Sequence, residues 1–284
     1  MQIDGINFAQ AWFDLLSVLF EARQTQPRGL ASREELGVSL RVGNLLHNVF
    51  YHPDRSLNYR FMVAEWLWIW FGFEEAGVLG RYNSQVLKFA SNGKFDGAYG
   101  PRLKPQWDYL MKTLKRDPAS RQAVATIWTP NPAPSKDIPC TVAYQLLLRD
   151  DKLHGIVTMR SSDVWLGLPY DFFTFSMLTN TVAATLGVDT GSLTFQLGSS
   201  HLYETDRERA KVLLKNRVAL RAFASPKFTE VPPSWLSYQL CQPIDIKVGD
   251  SVYPDPKVIA EEPWGRFAQI LSLPRERAFD LLTR

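Results

Sequence analysis

Cysteine is scarce: Cys140 and Cys241 are the only two in 284 residues. Two thiols cannot build a disulfide framework, which excludes a cystine-stapled extracellular scaffold and fits a reducing compartment. Histidine is almost as rare, and His47, His52, His154 and His201 show no metal-ligand spacing with the cysteines, so no zinc or other metal is expected. None stands in a motif that pairs it with Cys140 in the manner of a cysteine protease. Neither a Walker loop nor a GxGxxG fingerprint occurs. The longest apolar run, Trp66 to Phe73, is too short to span a bilayer. The start, Met1-Gln2-Ile3-Asp4, lacks a basic n-region followed by an apolar stretch, so the expectation is a cytoplasmic protein that does not enter a membrane. Lys+Arg 32 against Asp+Glu 29 leaves a net charge of +3, too small and dispersed for nucleic-acid binding. A small anion needs only a local group of arginines. With no repeat, low-complexity tract or Gly/Ser linker, a single domain over 1–284 is expected.

What is present is an alternation of helical and extended patterns. Phe8, Trp12, Leu15, Leu16, Leu19 and Phe20 have helical spacing, predicting a helix over about 6–24. Val38 to Val42 alternates as a strand does. Asn58 to Leu79 reads as an aromatic-rich helix capped by Asn58, with Glu65 buried in its middle. An ionised carboxylate there is costly without partners, and pairing with an arginine is the bland explanation. Arg81 to Arg102 reads as a long loop. Ala123–Thr129, Val142–Arg149 and Leu153–Arg160 are β-rich, the last two joined by an Asp150-Asp151-Lys152 turn. Phe172 to Leu186 returns to helical spacing and stops at Gly187, Ser192 to Leu197 is a further strand, and the last helix runs from Pro263 to Leu271.

Cys140 heads one of these strands, in Pro139-Cys140-Thr141-Val142. One hairpin later comes Met159-Arg160-Ser161-Ser162-Asp163-Val164-Trp165-Leu166-Gly167-Leu168-Pro169-Tyr170-Asp171. A lone cysteine is usually an inert small hydrophobe. Arg160 changes that expectation, because a nearby guanidinium lowers a thiol pKa and raises the reactive thiolate fraction.

Pro139-Cys140, then Arg160 to Pro169, then Gly198-Ser199-Ser200-His201-Leu202-Tyr203 resembles the thymidylate synthase family over roughly residues 58–215, with Glu65 and Tyr99-Gly100 as weaker matches. The resemblance implies an α/β (α+β) fold, a mixed sheet flanked by helices. It implies one-carbon transfer to a pyrimidine nucleoside monophosphate with 5,10-methylenetetrahydrofolate as co-substrate. Cys140 adds to carbon 6 of the ring, so that carbon 5 becomes the nucleophile. Arg160 and Ser161 hold the phosphate, joined by Arg121 from the second subunit of a homodimer and by an N-terminal arginine, Arg28 or Arg33. His201 and Tyr203 meet the sugar hydroxyl, Asp163 and Gly167 belong to the folate site, and Glu65 and Tyr99 move protons.

The chain departs from that pattern in places. Asp171 stands where the family carries the asparagine that reads uracil. A carboxylate only accepts, so uracil meets it with a repelling oxygen, whereas cytosine protonated on its ring nitrogen gives it two hydrogen bonds. The bland alternative for Asp171 is a helix N-cap before Phe172. Gln85-Val86-Leu87-Lys88-Phe89 replaces the family's shielding tryptophans, which favours water over hydride as the final nucleophile. Gln122 replaces a second clamp arginine, and Phe279 to Arg284 does not match the apolar closing tail. The Asp171 departure is shared with deoxycytidylate hydroxymethylases, which the chain also resembles in Met159-Arg160-Ser161-Ser162-Asp163, and the expected activity is 5-hydroxymethylation of dCMP or CMP. Reductive 5-methylation of dCMP, or of dUMP as in thymidylate synthase, and a non-catalytic nucleotide-binding relative stay open as alternatives.

Overall fold

Strand pairing in the computed structural model, which describes residues 1–241, 263–272 and 278–283, places both halves of the Cys140 motif in one mixed sheet. Its strands are β1 (Gln2–Gly5), β2 (Arg23–Thr25), β3 (Ser32–Val42), β5 (Val124–Thr126), β6 (Thr141–Arg149), β7 (Lys152–Met159), β8 (Ser162–Asp163) and β9 (Asp189–Tyr203). They run in the order β1-β3-β9-β7-β6-β5, with β2 on β3 and β8 on β9. A small separate ribbon pairs β4 (Val49–Tyr51) with β10 (Arg221–Phe223). β6 and β7 form the expected hairpin, and Asp150 and Asp151 both take left-handed backbone, φ 50° and 56°, as its two-residue turn demands.

Helices α1 (Phe8–Glu21) and α6 (Leu168–Leu186) cover one face of the sheet. Phe8 stacks on Phe172 at 4.2 Å and Phe172 on Phe195 of β9 at 5.5 Å. α6 ends where Gly187 turns left-handed, a conformation other residues rarely adopt. α2 (Tyr59–Phe71) is capped by Asn58, whose side chain accepts from the Phe61 N–H at 3.0 Å. It stops at Gly72, so the helix expected over 58–79 is two, the second being α3 (Ala76–Gly80). The segment expected as a long loop contains a 3-10 turn at Ser84–Phe89 and α4 (Gly100–Leu103). α5 (Trp107–Arg116) and α7 (Glu204–Leu214) were not expected, because each buries only a narrow stripe under a charged exterior. Near the C-terminus, α8 (Trp235–Cys241), α9 (Pro263–Ser272) and α10 (Ala278–Leu282) pack around α2. There Arg60 donates to the Leu271 carbonyl at 2.9 Å, and Phe279 joins Tyr51, Tyr59 and Phe223. Arg284 lies outside the described residues.

One irregularity governs the site. Along β9 from Leu193 onward the buried positions are Leu193, Phe195 and Leu197, then Ser200 and Leu202: the two-residue alternation changes phase at Gly198. On β3 the pairing passes from Leu36↔Ser199 to Val38↔Leu197, leaving out Gly37, which has φ 65°, and Gly198. A Cβ on Gly198 would stand 3.0 Å from the Arg160 carbonyl. The two glycines let adjacent strands kink together, and Ser199, His201 and Tyr203 turn away from the core.

Candidate active site

Cys140 sits immediately before β6, half-buried, and its carbonyl accepts from the Arg160 N–H at 2.9 Å. The Arg160 side chain folds back over the same strand. Its Nε donates to the Pro139 carbonyl at 2.9 Å, and Nη2 donates to the Ile138 carbonyl at 3.0 Å and lies 3.9 Å from the Cys140 sulfur. Its guanidinium also lies over the Trp128 ring at 5.8 Å. Thiol and cation are therefore adjacent, as the sequence implied.

Their electrostatic outcome is not what the sequence implied. Burial, joined by the charge of Asp171, pushes the Cys140 thiol up to about 11, and the opposing pull of Arg160 is smaller. In the free protein Cys140 is a protonated thiol, because desolvation of a thiolate outweighs one exposed guanidinium.

Three further titratable groups stand on separate elements, linked through Asp171. Asp171 lies within the first turn of α6 rather than at its cap, which is Gly167, so the capping explanation fails. Among the described residues its carboxylate takes up no hydrogen bond, and burial raises it to about 7, with Asp163 adding. Glu65, from the middle of α2, is raised to about 8, again by burial first and Asp171 second. No arginine pairs with it among the described residues, so the bland explanation of that carboxylate is not met. The nearest influence on Glu65 is another carboxylate. Tyr99 precedes α4; its hydroxyl accepts from the Thr141 N–H at 3.2 Å and is held well above its ordinary pKa by burial, then by Asp171 and Cys140. Asp171 acts electrostatically on Cys140, Tyr99 and Glu65 alike, which puts it in the neighbourhood of all three.

Asp163 closes one end. Its Oδ1 accepts the Trp165 and Leu166 N–H groups at 2.9 and 3.0 Å, and burial raises it to about 6. Gly167 leaves room beside Asp171, since a Cβ there would meet Asp171 Oδ2 at 3.4 Å. At the other end, His201 and Tyr203 stand edge to face at 5.0 Å. Burial lowers the His201 pKa, and Arg28 acts on both His201 and Cys140. Arg33 does not: it is bound to Glu204 at 2.8 Å and to the Ala22 carbonyl at 3.0 Å. Ser161 bridges β7 and β8, next to Arg160.

Arg121 lies elsewhere in the chain. It is exposed beside Arg116 and Gln122, and its carbonyl takes a hydrogen bond at 2.9 Å from Gln145, five residues along β6 from Cys140. At about 3.3 Å per residue that is roughly 16 Å from the thiol. The sequence reading missed Thr141, Glu34 and Ser199. Thr141 adjoins Cys140, and its buried hydroxyl finds no partner among the described residues; only strand pairing shows where the other two stand.

A thiol, two proton-holding carboxylates, a tyrosine hydroxyl and an arginine-rimmed mouth suit nucleophilic addition to a small anion, with proton traffic under protein control. The family model for thymidylate synthase matches residues 28–247. The chain belongs to the thymidylate synthase family. A deoxyuridylate hydroxymethyltransferase of Bacillus phage SP01 is 32% identical over 224 residues, 71% of this chain and 58% of the phage protein. The chain thus spans less than two thirds of that relative's length. The thymidylate synthase of Bacillus mojavensis is 26% identical over 212 residues, 69% of this chain and 72% of that protein. Thymidylate synthase 1/2 of Encephalitozoon cuniculi (strain GB-M1) is 26% identical over 265 residues, 80% and 90% of the two chains.

Proposed function

We propose that the chain is a pyrimidine nucleotide one-carbon transferase that 5-hydroxymethylates a cytidylate, CMP or dCMP, using methylenetetrahydrofolate and water. The observation that carries this reading is Asp171, an unpartnered carboxylate raised to about 7 on the cleft floor beside Cys140. In its acid form it donates to the cytosine ring nitrogen and accepts from the exocyclic amino group. As Cys140 adds to carbon 6, the proton passes to the ring nitrogen, and the carboxylate keeps two charge-assisted contacts. Uracil offers an N–H and a carbonyl at those positions; the ionised carboxylate repels that carbonyl, and although the acid form meets both groups, uracil's ring nitrogen already carries its proton and takes none from Asp171 as the thiol adds.

The thiol must lose its proton as it attacks. Arg160 at 3.9 Å is the group that stabilises the sulfur's charge at that moment. Glu65, protonated to about pH 8, holds a proton for exchange with the base, and Tyr99, itself protonated, passes on through its hydroxyl the proton that leaves carbon 5. Arg28, Arg160 and Ser161 form the phosphate end; His201 and Tyr203 meet the sugar.

Methylenetetrahydrofolate, when bound, supplies a one-carbon unit at the oxidation level of formaldehyde. Asp163 fits it, because a carboxylic acid near pH 6 with one oxygen spent on backbone N–H groups keeps the other for a nitrogen heterocycle. Gly167 gives clearance beside it. Water as the final nucleophile is favoured by the Ser84–Phe89 segment, where Leu87 packs toward Gly80 and stays 42% exposed and Phe89 43% exposed. Assembly as a homodimer, with Arg121 reaching the partner's phosphate site, is supported by the sheet face turned from α1 and α6. Leu147, Ile156, Thr158 and Gln196 lie there, bare of any helix among the described residues.

A uracil nucleotide is the second reading, favoured by the phage relative's being a deoxyuridylate hydroxymethyltransferase. Mass spectrometry of products from CMP, dCMP and dUMP, each with methylenetetrahydrofolate, separates them. A gain of a hydroxymethyl group on a cytosine nucleotide, with tetrahydrofolate released, is the expected result. Turnover of dUMP alone overturns the cytosine assignment, and dihydrofolate release overturns hydroxymethylation.

A further inference from the structure

Beyond His201 and Tyr203, the sugar end holds a carboxylate that the reading above does not use. Glu34 on β3 is directly opposite His201 on β9. Directly opposed residues of an antiparallel pair share a face, with Cβ atoms about 5 Å apart. Glu34 accordingly shares the face that the Gly37/Gly198 kink turns toward the cleft. Its Oε1 accepts from the Ser199 hydroxyl at 2.7 Å and its Oε2 from Arg23 at 3.0 Å. The Ser199 bond, then Arg23, hold its pKa below the ordinary carboxylate value, so Glu34 is ionised at neutral pH, and it acts electrostatically on His201. Its side chain is 16% exposed and that of its partner Arg23 is 60% exposed, so the carboxylate is partly sheltered while its cation lies mostly in solvent.

We infer that Glu34 reads the sugar, accepting the 2′-hydroxyl of a ribonucleotide, and that the substrate is the ribonucleotide. The inference rests on the site proposed above. The 2′- and 3′-hydroxyls of a ribose are neighbours on the ring, and a group meeting the 3′-hydroxyl brings the 2′-hydroxyl toward whatever stands beside it. His201 and Tyr203 are the 3′ pair, and Glu34 is the acceptor beside them. An ionised carboxylate with one of its lone pairs already fixed by Ser199 is an oriented acceptor, the same solution that dinucleotide-binding folds use for a ribose diol. A deoxyribose leaves that acceptor facing a methylene group, and sites built to bond a hydroxyl discriminate strongly against its absence.

The test is the ratio of kcat/KM for CMP over dCMP, together with the ratio of their dissociation constants by titration calorimetry without folate. The wild-type protein should favour CMP about tenfold or more, the value of one hydrogen bond to a charged group. Glu34→Gln should bring the ratio toward one. Glu34→Asp, a second variant in case the first folds poorly by circular dichroism, should lower it by shortening the reach. Wild-type preference for dCMP overturns the proposal, as does a Glu34→Gln variant that weakens both nucleotides equally, the signature of a residue that only orients His201. Failure of the base assignment shows separately: if only uracil nucleotides bind or turn over, the same ratio is read on UMP over dUMP.

Discussion

Replacing Asp171 by Asn keeps the side chain's shape and removes its proton and charge, so it separates recognition of the base from protonation of it. An amide can flip to donate to the cytosine ring nitrogen and accept from the amino group, so CMP and dCMP should still bind. It cannot give the ring nitrogen a proton when Cys140 adds. The loss therefore falls on kcat, by about 10²–10⁴, the range of a positioned general acid. In the other flip the amide matches uracil, and dUMP or UMP should become a substrate. The same change removes a charge that raises Cys140, Glu65 and Tyr99. A like charge nearby shifts a pKa by on the order of one unit, so alkylation of Cys140 by iodoacetamide at pH 8 should become about tenfold faster. Steady-state kinetics on all four nucleotides and peptide mass spectrometry of the alkylated thiol give the two readouts. A variant whose kcat for cytosine nucleotides stays within tenfold of wild type, or whose thiol reacts no faster, refutes the assignment of Asp171.

Other consequences can be checked as directly. Cys140→Ala should abolish turnover yet bind nucleotide nearly as well, measured by calorimetry; residual turnover would mean that the thiol is not the nucleophile. Glu65 is raised in the folded state, to about 8 from 4.5. Its contribution to stability is complete below pH 4.5 and is lost as pH rises to about 8, at an upper bound on the order of 5 kcal/mol. Urea melts of the wild type should weaken from pH 6 to 9, and those of Glu65→Gln should weaken less; parallel curves would show that Glu65 is not buried as described. Gly37→Ala meets no neighbour within 4 Å, so its cost is backbone strain alone at φ 65°, about 1–2 kcal/mol and a melting point lower by a few degrees.

The features legible in the sequence are those fixed by a few adjacent residues. Asn58 caps its helix and Gly187 ends another because caps are local, and the two aspartates between β6 and β7 turn the hairpin for the same reason. What could not be read depends on partners distant in sequence. Arg28 and Arg33 are equivalent on paper, and only the Glu204 pairing of Arg33 distinguishes them. The Arg160–Cys140 adjacency was legible, but its sign was not, since desolvation depends on everything packed around the sulfur. The N-cap explanation of Asp171 failed because the helix begins a turn earlier, with Pro169 near its start. Glu34 went unnoticed because its importance comes from an antiparallel partner 167 positions later.

The kink at Gly37 and Gly198 gives β9 two reading frames on one strand. Before it, odd-numbered side chains build the interior; after it, odd-numbered side chains turn out of the core, toward the proposed sugar site. Deleting one residue between Gly198 and His201 would leave Leu193, Phe195 and Leu197 packed as they are, while Leu202 moved into the cleft and Tyr203 into the core. Activity could thus vanish by a shift of register with the hydrophobic interior almost untouched, and stability alone would be a poor guide to whether a variant of this strand still works.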